Sequence, residues 1–309
     1  MWNRRRFLAI SAAGAFASRL PCVFAQDHAP QLPFIDSHVH VWKHDPAFPF
    51  APGAHPLEQD ASVEMLLELM QSNNVARTVI IQVIHYKWDN SYLASVLRRY
   101  PKTFQGVCRV NPEDPAAPDH LTHLTEEQGF RGVRLSPAAG PAGDWISGPL
   151  MSPLWRRCAE LKVPMTLLIP VTRLPQIHSL IEANPDLQVV IDHMADCPLG
   201  HPQPLQLLLD LAKYPHVFVK ISHMWSLSKQ PYPYLDAQQQ VRQLLTVFGS
   251  DRLMAGTDWP ISLPLLSYAQ NVSLYRNHLN FLSKEQHEQI LLRTVQRVWP
   301  FDIPHSAAS

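Results

Sequence analysis

Phe34-Ile35-Asp36-Ser37-His38-Val39-His40-Val41-Trp42 is a short run that opens apolar and carries a His-x-His pair. Phe34 to His38 reads as a β-strand. Side chains two apart on a strand share a face, so His38 and His40 point together, placed to share a metal ion or one substrate oxygen. With 16 histidines in 309 residues, about one such pair is expected from composition alone. What sets this pair apart is its place at a strand's carboxyl end and what recurs after it. Past a loop rich in proline and aromatics, His44 to Gln59, helical and strand patterns alternate. Strands are expected over Thr78–Val83, Phe104–Val110, Phe130–Ser136, Pro164–Ile169, Leu187–His193, Val217–Ser222 and Arg252–Asp258, with helical periods between them. Eight such units in one domain, residues 26–309, predict an α/β fold, the (β/α)8 or TIM barrel. A doubly wound sheet competes, but no glycine-rich phosphate turn follows the first strand.

In such a barrel the reactive side chains gather at the carboxyl ends of the strands. Collecting the polar residues there gives His38 and His40 from the first strand and His85 and Tyr86 after the second. Arg109 comes from the third, Arg134 and Ser136 from the fourth, and His193 from the sixth. Ser222 and His223 follow the seventh, and Asp258 ends the eighth. Three imidazoles and a carboxylate, His38, His40, His193 and Asp258, form a nitrogen and oxygen ligand set suited to one zinc or manganese ion. Formal net charge is zero, and no basic run occurs after the amino-terminal segment, which argues against nucleic acid as a partner. Cys108, Cys158 and Cys197 lack the spacing of a disulfide framework or a zinc ribbon.

The first 25 residues read as an export signal rather than fold. Arg4-Arg5-Arg6-Phe7-Leu8 precedes a modest apolar stretch, and Val23-Phe24-Ala25 supplies a cleavage site. The pattern resembles a twin-arginine signal, which predicts the twin-arginine machinery as a partner and a periplasmic or secreted protein. Arg19 and Pro21 interrupt a run already too short to span, so stable membrane insertion is not expected.

Ile35-Asp36-Ser37-His38-Val39-His40, Val190-Ile191-Asp192-His193-Met194 and Phe248 to Pro260, which contains Gly256-Thr257-Asp258-Trp259-Pro260, occur in this order along the chain. Together they resemble the marker segments of the amidohydrolase superfamily, nearest to its amidohydrolase 2 group of lactonases and decarboxylases. The resemblance implies that His38, His40, His193 and Asp258 line the active site. It also implies one divalent ion, although some lactonases of this scaffold work without metal. Two departures stand out. No lysine ends the fourth strand to form a carbamate-bridged pair of ions. Lys220-Ile221-Ser222 is followed by His223-Met224-Trp225 where the group usually has a small residue.

The chemistry expected is attack of an activated water on a lactone carbonyl, with Asp258 as general base. His223 would protonate the leaving alkoxide, with Tyr86 a weaker candidate. Arg109 and Arg134 would grip a substrate carboxylate, and His85 and Tyr86 would complete the substrate-binding wall. A metal-dependent non-oxidative decarboxylase is the nearest rival. A periplasmic small-molecule binder without turnover is the rival from another class. Oligomeric state is left open, a homo-oligomer included.

Overall fold

A computed structural model describes residues 32–55, 57–137 and 145–301. The proposed signal at 1–25 and the tail from Pro304 lie outside the described residues. The strands are β1 (Phe34–Val39), β2 (Val75–Ile81), β3 (Phe104–Val107), β4 (Val133–Leu135), β5 (Met165–Leu167), β6 (Val189–Ile191), β7 (Val217–Lys220) and β8 (Leu253–Met254). All neighbouring pairs are parallel, in the order β1-β2-β3 and β4-β5-β6-β7-β8. Backbone hydrogen bonds close both seams. Between β3 and β4, Cys108 N donates to Gly132 O at 2.9 Å and Arg134 N to Cys108 O at 2.8 Å. Between β8 and β1, Ser37 N donates to Ala255 O at 3.1 Å, Asp258 N to His38 O at 2.8 Å and His40 N to Trp259 O at 2.7 Å. The sheet is therefore a closed eight-stranded barrel with no free edge.

Strand alternation sorts the core into two layers. Ile35, Val79, Ile81, Val107, Val190, Phe218 and Met254 pack together inside the barrel, and Val298, Trp299 and Phe301 close its floor. Their sequence neighbours, such as Phe34, Ile80, Val189 and Val219, pack outward with the helices. The same alternation carries upward from the floor. Arg109, Asp192 and Lys220 stand two residues beyond Val107, Val190 and Phe218, so a charged layer sits on the apolar one.

From β2 onward the strands end before their patterns do, and the reason bears on function. His193, Met194, Ala195 and Asp196 all adopt left-handed backbone (φ from 46° to 56°), as do His223 (φ 66°) and Asp258 (φ 54°). The chain leaves β6, β7 and β8 by turning at the residues that carry the chemistry. Such conformations are costly for residues with a Cβ and concentrate at functional sites. A short helix, Met224–Leu227, follows His223 and was not anticipated.

β1 is also irregular, with a register shift between Asp36 and Val39. This sends Asp36 away from the histidines. It accepts Thr257 N at 2.9 Å, Thr257 Oγ1 at 2.6 Å and Tyr268 OH at 3.3 Å, tying β1 to β8. Gly256 permits that approach. A Cβ there would stand 2.8 Å from His38 Cβ and 3.0 Å from Ser37 Oγ. Gly256→Ala should cost about 1–3 kcal/mol by overpacking and displace His38. Chemical denaturation and metal titration of the variant check this; wild-type values for both would show that the seam has slack.

Candidate active site

The mouth of the barrel gathers four of its histidines around one carboxylate. His38 Nε2 and His40 Nε2 are 3.3 Å apart, and Asp258 Oδ1 lies 3.4 Å from the first and 3.3 Å from the second. These separations are long for hydrogen bonds, and Asp258 Oδ1 is buried without a hydrogen-bond partner among the described residues. They match the edge of a tetrahedron around an ion with bonds near 2.1 Å, about 3.4 Å. His40 Nδ1 lies 2.8 Å from Ile81 O, and a carbonyl can only accept. That contact keeps the proton on Nδ1 and the lone pair on Nε2. Burial first, then the Lys220 ammonium, pushes His38 down to about 3, so its imidazole is neutral. The donor set fits a divalent ion.

His193 stands apart from that triangle. Its Nδ1 contacts Ser222 Oγ at 2.7 Å, and its ring stacks on His223 with centroids 3.5 Å apart and planes within 3°. Its donor atom falls into other close sets, with His38 and Asp192 or with His223 and Asp258, and does not join His38, His40 and Asp258 as a fourth ligand. Parallel rings hold their lone pairs in separate planes, which also disfavours one ion shared by His193 and His223.

His223 Nε2 reaches Asp258 Oδ2 at 2.7 Å, and Nδ1 lies 3.3 Å from Asp196 Oδ1. Burial opposes its charge, but the hydrogen bonds to Asp196 and Asp258 outweigh it and push His223 up to about 9. Burial likewise works against the Asp258 charge. The hydrogen bond from His223, with His40, His193 and His38 close by, holds it well below the usual carboxylate range. At neutral pH the pair is an imidazolium against a carboxylate.

Below this cluster lies a network that sequence reading left unassigned. Lys220 Nζ is 3.0 Å from Asp192 Oδ1 and 3.1 Å from His38 Nδ1, over the face of Trp299. Arg134 Nε donates to Asp192 Oδ2 at 2.8 Å. Lys220 and Asp192 are fully buried. The expected pairing of Arg134 with a substrate carboxylate is thus met by a competitor inside the protein, because Asp192 already occupies its Nε. The usable signal was alternation, which puts Lys220 and Asp192 on the face of Phe218 and Val190.

The remaining expected residues divide. Arg109 is buried and donates to Ser136 Oγ at 2.9 Å. His85 sits in a 3₁₀ turn, its Nδ1 buried without a partner among the described residues, where burial and then His40 lower its pKa. Tyr86 is turned away from the cluster. Its hydroxyl donates to Lys43 O at 3.2 Å and accepts Lys43 N at 3.1 Å, pinning the loop after β1, and its ring packs on Phe50. A hydroxyl so used is not free to protonate an alkoxide. Cys108, Cys158 and Cys197 are buried free thiols.

Fold and cluster together define a class, a (β/α)8 barrel with a His-x-His and Asp donor set at the carboxyl ends of its strands. Residues 35–301 match the amidohydrolase family, and the chain belongs to it. An L-fucono-1,5-lactonase of Burkholderia ambifaria is 28% identical over 234 residues, which cover 74% of this chain and 80% of that protein. A 4-sulfomuconolactone hydrolase of Hydrogenophaga intermedia is 27% identical over 300 residues, 90% of this chain and 94% of that protein. Among solved structures, an amidohydrolase of Burkholderia multivorans with bound zinc superposes with a TM-score of 0.70 at 22% identity, over 86% of this chain and 98% of that one. At that identity the likeness supports the fold alone. Among the described residues, no helix is long and apolar enough to cross a membrane.

Proposed function

We propose that this barrel opens lactone rings by water attack on the cyclic ester. The observation that carries the reading is one buried carboxylate with two environments. Oδ1 of Asp258 faces the two imidazole nitrogens of His38 and His40, and Oδ2 faces the His223 imidazolium. The names of the lactone-hydrolysing relatives support the reaction class.

His38, His40 and Asp258 would hold one zinc or manganese ion, which when bound supplies Lewis acidity toward water and the ester carbonyl. Asp258 accepts the proton of the attacking water. His223, already protonated at neutral pH, delivers a proton to the departing alkoxide, and Asp196 at its far side steadies the charge. Stacked on His223, the neutral His193 fixes the plane in which that proton moves and presents its own edge to the substrate. His85 is placed to line the substrate's approach to His40. Residues 1–25 would direct export by the twin-arginine route, a reading supported by Arg4-Arg5-Arg6-Phe7-Leu8.

The test pairs metal analysis with a lactone panel. Protein purified without chelator should carry about one equivalent of zinc or manganese, lost in His38→Ala and His40→Ala. Lactones should open with release of one acid equivalent and no carbon dioxide. Carbon dioxide from an aromatic or unsaturated acid, with intact lactones, would replace this reading with the decarboxylase.

A further inference from the structure

His193, Met194, Ala195 and Asp196 hold left-handed backbone in succession, φ from 46° to 56°, and make one turn of a left-handed helix. None is glycine, so the turn is costly to form. It is also firmly held. His193, Met194 and Ala195 are buried, Cys197 N donates to Met194 O at 3.1 Å, and Gln240 Nε2 donates to Cys197 O at 3.3 Å. Asp196 is the exposed member of the four. Residues three apart in a helical turn lie on one side, and here both reach the same ring. The imidazole of His193 stacks on the face of His223, and the carboxylate of Asp196 meets its edge, with Oδ1 3.3 Å from Nδ1. The opposite nitrogen, Nε2, lies 2.7 Å from Asp258 Oδ2. His223 is itself left-handed at φ 66°, where the group usually has a small residue, and its carbonyl accepts Ser226 N and Leu227 N. Two strained stretches of chain thus meet in one imidazole set between two carboxylates.

We infer that Asp196 is the positioning residue for His223 as proton donor. By engaging Nδ1 it fixes which way round the ring sits and leaves Nε2 as the nitrogen that serves the site. The consequence rests on the proposed function: base and acid are separate groups that restore each other. Water attacks the ester carbon while Asp258 takes its proton. The ring C–O bond breaks, and the departing oxygen takes the Nε2 proton of His223. Asp258 then passes the water's proton to Nε2 across the 2.7 Å contact, so both groups end the cycle as they began. One lactone and one water give one hydroxy acid. A donor held in this way matters most for a departing alkoxide, which needs a proton in the transition state, and little for a phenoxide.

The experiment compares δ-valerolactone, which opens to an alkoxide, with dihydrocoumarin, which opens to a phenoxide, on the full metal-loaded protein. Asp196→Gly removes the carboxylate at a backbone that glycine adopts freely, so the turn keeps its shape. It should lower kcat for δ-valerolactone by at least about tenfold, with KM within about threefold, and slow dihydrocoumarin by about threefold at most. Asp196→Asn keeps an oxygen acceptor for Nδ1 and tolerates the left-handed backbone, so it should recover most of the lost rate. Crystal structures of the wild type and Asp196→Gly give a second readout. In the variant the His223 ring should turn over or leave the face of His193. A ring that depends on Asp196 in a protein that opens neither lactone would keep the positioning role and remove the lactonase reading. Equal losses on the two lactones, no loss on either, or an unmoved His223 ring in Asp196→Gly would overturn the inference.

Discussion

Replacing Asp258 by asparagine lowers kcat for ring opening by about 10²- to 10⁴-fold while the barrel stays folded. The size of the effect follows from position. Asp258 is the carboxylate on which two groups of histidines converge, and asparagine can neither accept a proton from water nor hold a cation as strongly. The substitution is also conformationally gentle. Asp258 sits in the left-handed region at φ 54°, which asparagine tolerates as well as aspartate does, and the side chains are nearly isosteric. The backbone bond from Asp258 N to His38 O that helps close the barrel is untouched. The measurement is steady-state kinetics on the best lactone, with circular dichroism and thermal melting alongside. Turnover within threefold of wild type would remove Asp258 from the mechanism. Loss of turnover with loss of the native fold would instead assign it to the closure of β8 on β1.

What sequence could and could not disclose follows from the range of the forces involved. Alternation within a strand is local, so the inward set Val79, Ile81, Val190 and Phe218 and the pairing of His38 with His40 were legible in the residues themselves. The helix from Leu235 to Phe248 was likewise readable from its period. The turns at His193, His223 and Asp258 were not, because nothing in a histidine announces a left-handed backbone; those turns are imposed by closing the barrel. From β2 onward, extending a strand to its last apolar or polar match therefore overran the true end by a few residues. Arg134 shows the same limit in chemistry. Its partner Asp192 lies 58 residues away in sequence, and only the curvature of the sheet brings β4 and β6 inward to the same point. Tyr86 failed for a more local reason. The 3₁₀ turn at Ile84–Tyr86 rotates the hydroxyl onto the backbone of Lys43, where a continued strand would have aimed it at the mouth. Lys220 is legible in the same way, since a lysine in register with Phe218 must be buried and must therefore be paired.

That pairing makes Lys220→Met the substitution with the largest expected effect on stability, about 3–5 kcal/mol. Methionine fills most of the volume and keeps contact with Trp299, so the cost is electrostatic. Removing the ammonium strips Asp192 of the partner at 3.0 Å and leaves a fully buried carboxylate with Arg134 Nε as its remaining cation and His38 Nδ1 at 3.4 Å. Burial works to raise the Asp192 pKa; Lys220, His38 and Arg134 together hold it well below the ordinary range, with Lys220 first among them. Because the folded pKa is depressed, the stabilisation is present above the unfolded-state pKa and is lost as pH falls below it. Lys220→Met should accordingly lose most stability at neutral pH and least in acid, where Asp192 can take up a proton. At 2–4 °C per kcal/mol for a domain of this size, the melting temperature should drop by about 6–20 °C. The decisive comparison is the double variant Lys220→Met with Asp192→Asn, which removes the orphaned charge along with its partner. It should recover more than half of the loss, since an ion pair replaced on both sides costs less than one broken on one side. Melting curves at neutral pH for the wild type, both single variants and the double decide it. A single variant within about 2 °C of wild type, or a double variant no better than Lys220→Met, would mean that the buried network does not hold Asp192 through Lys220.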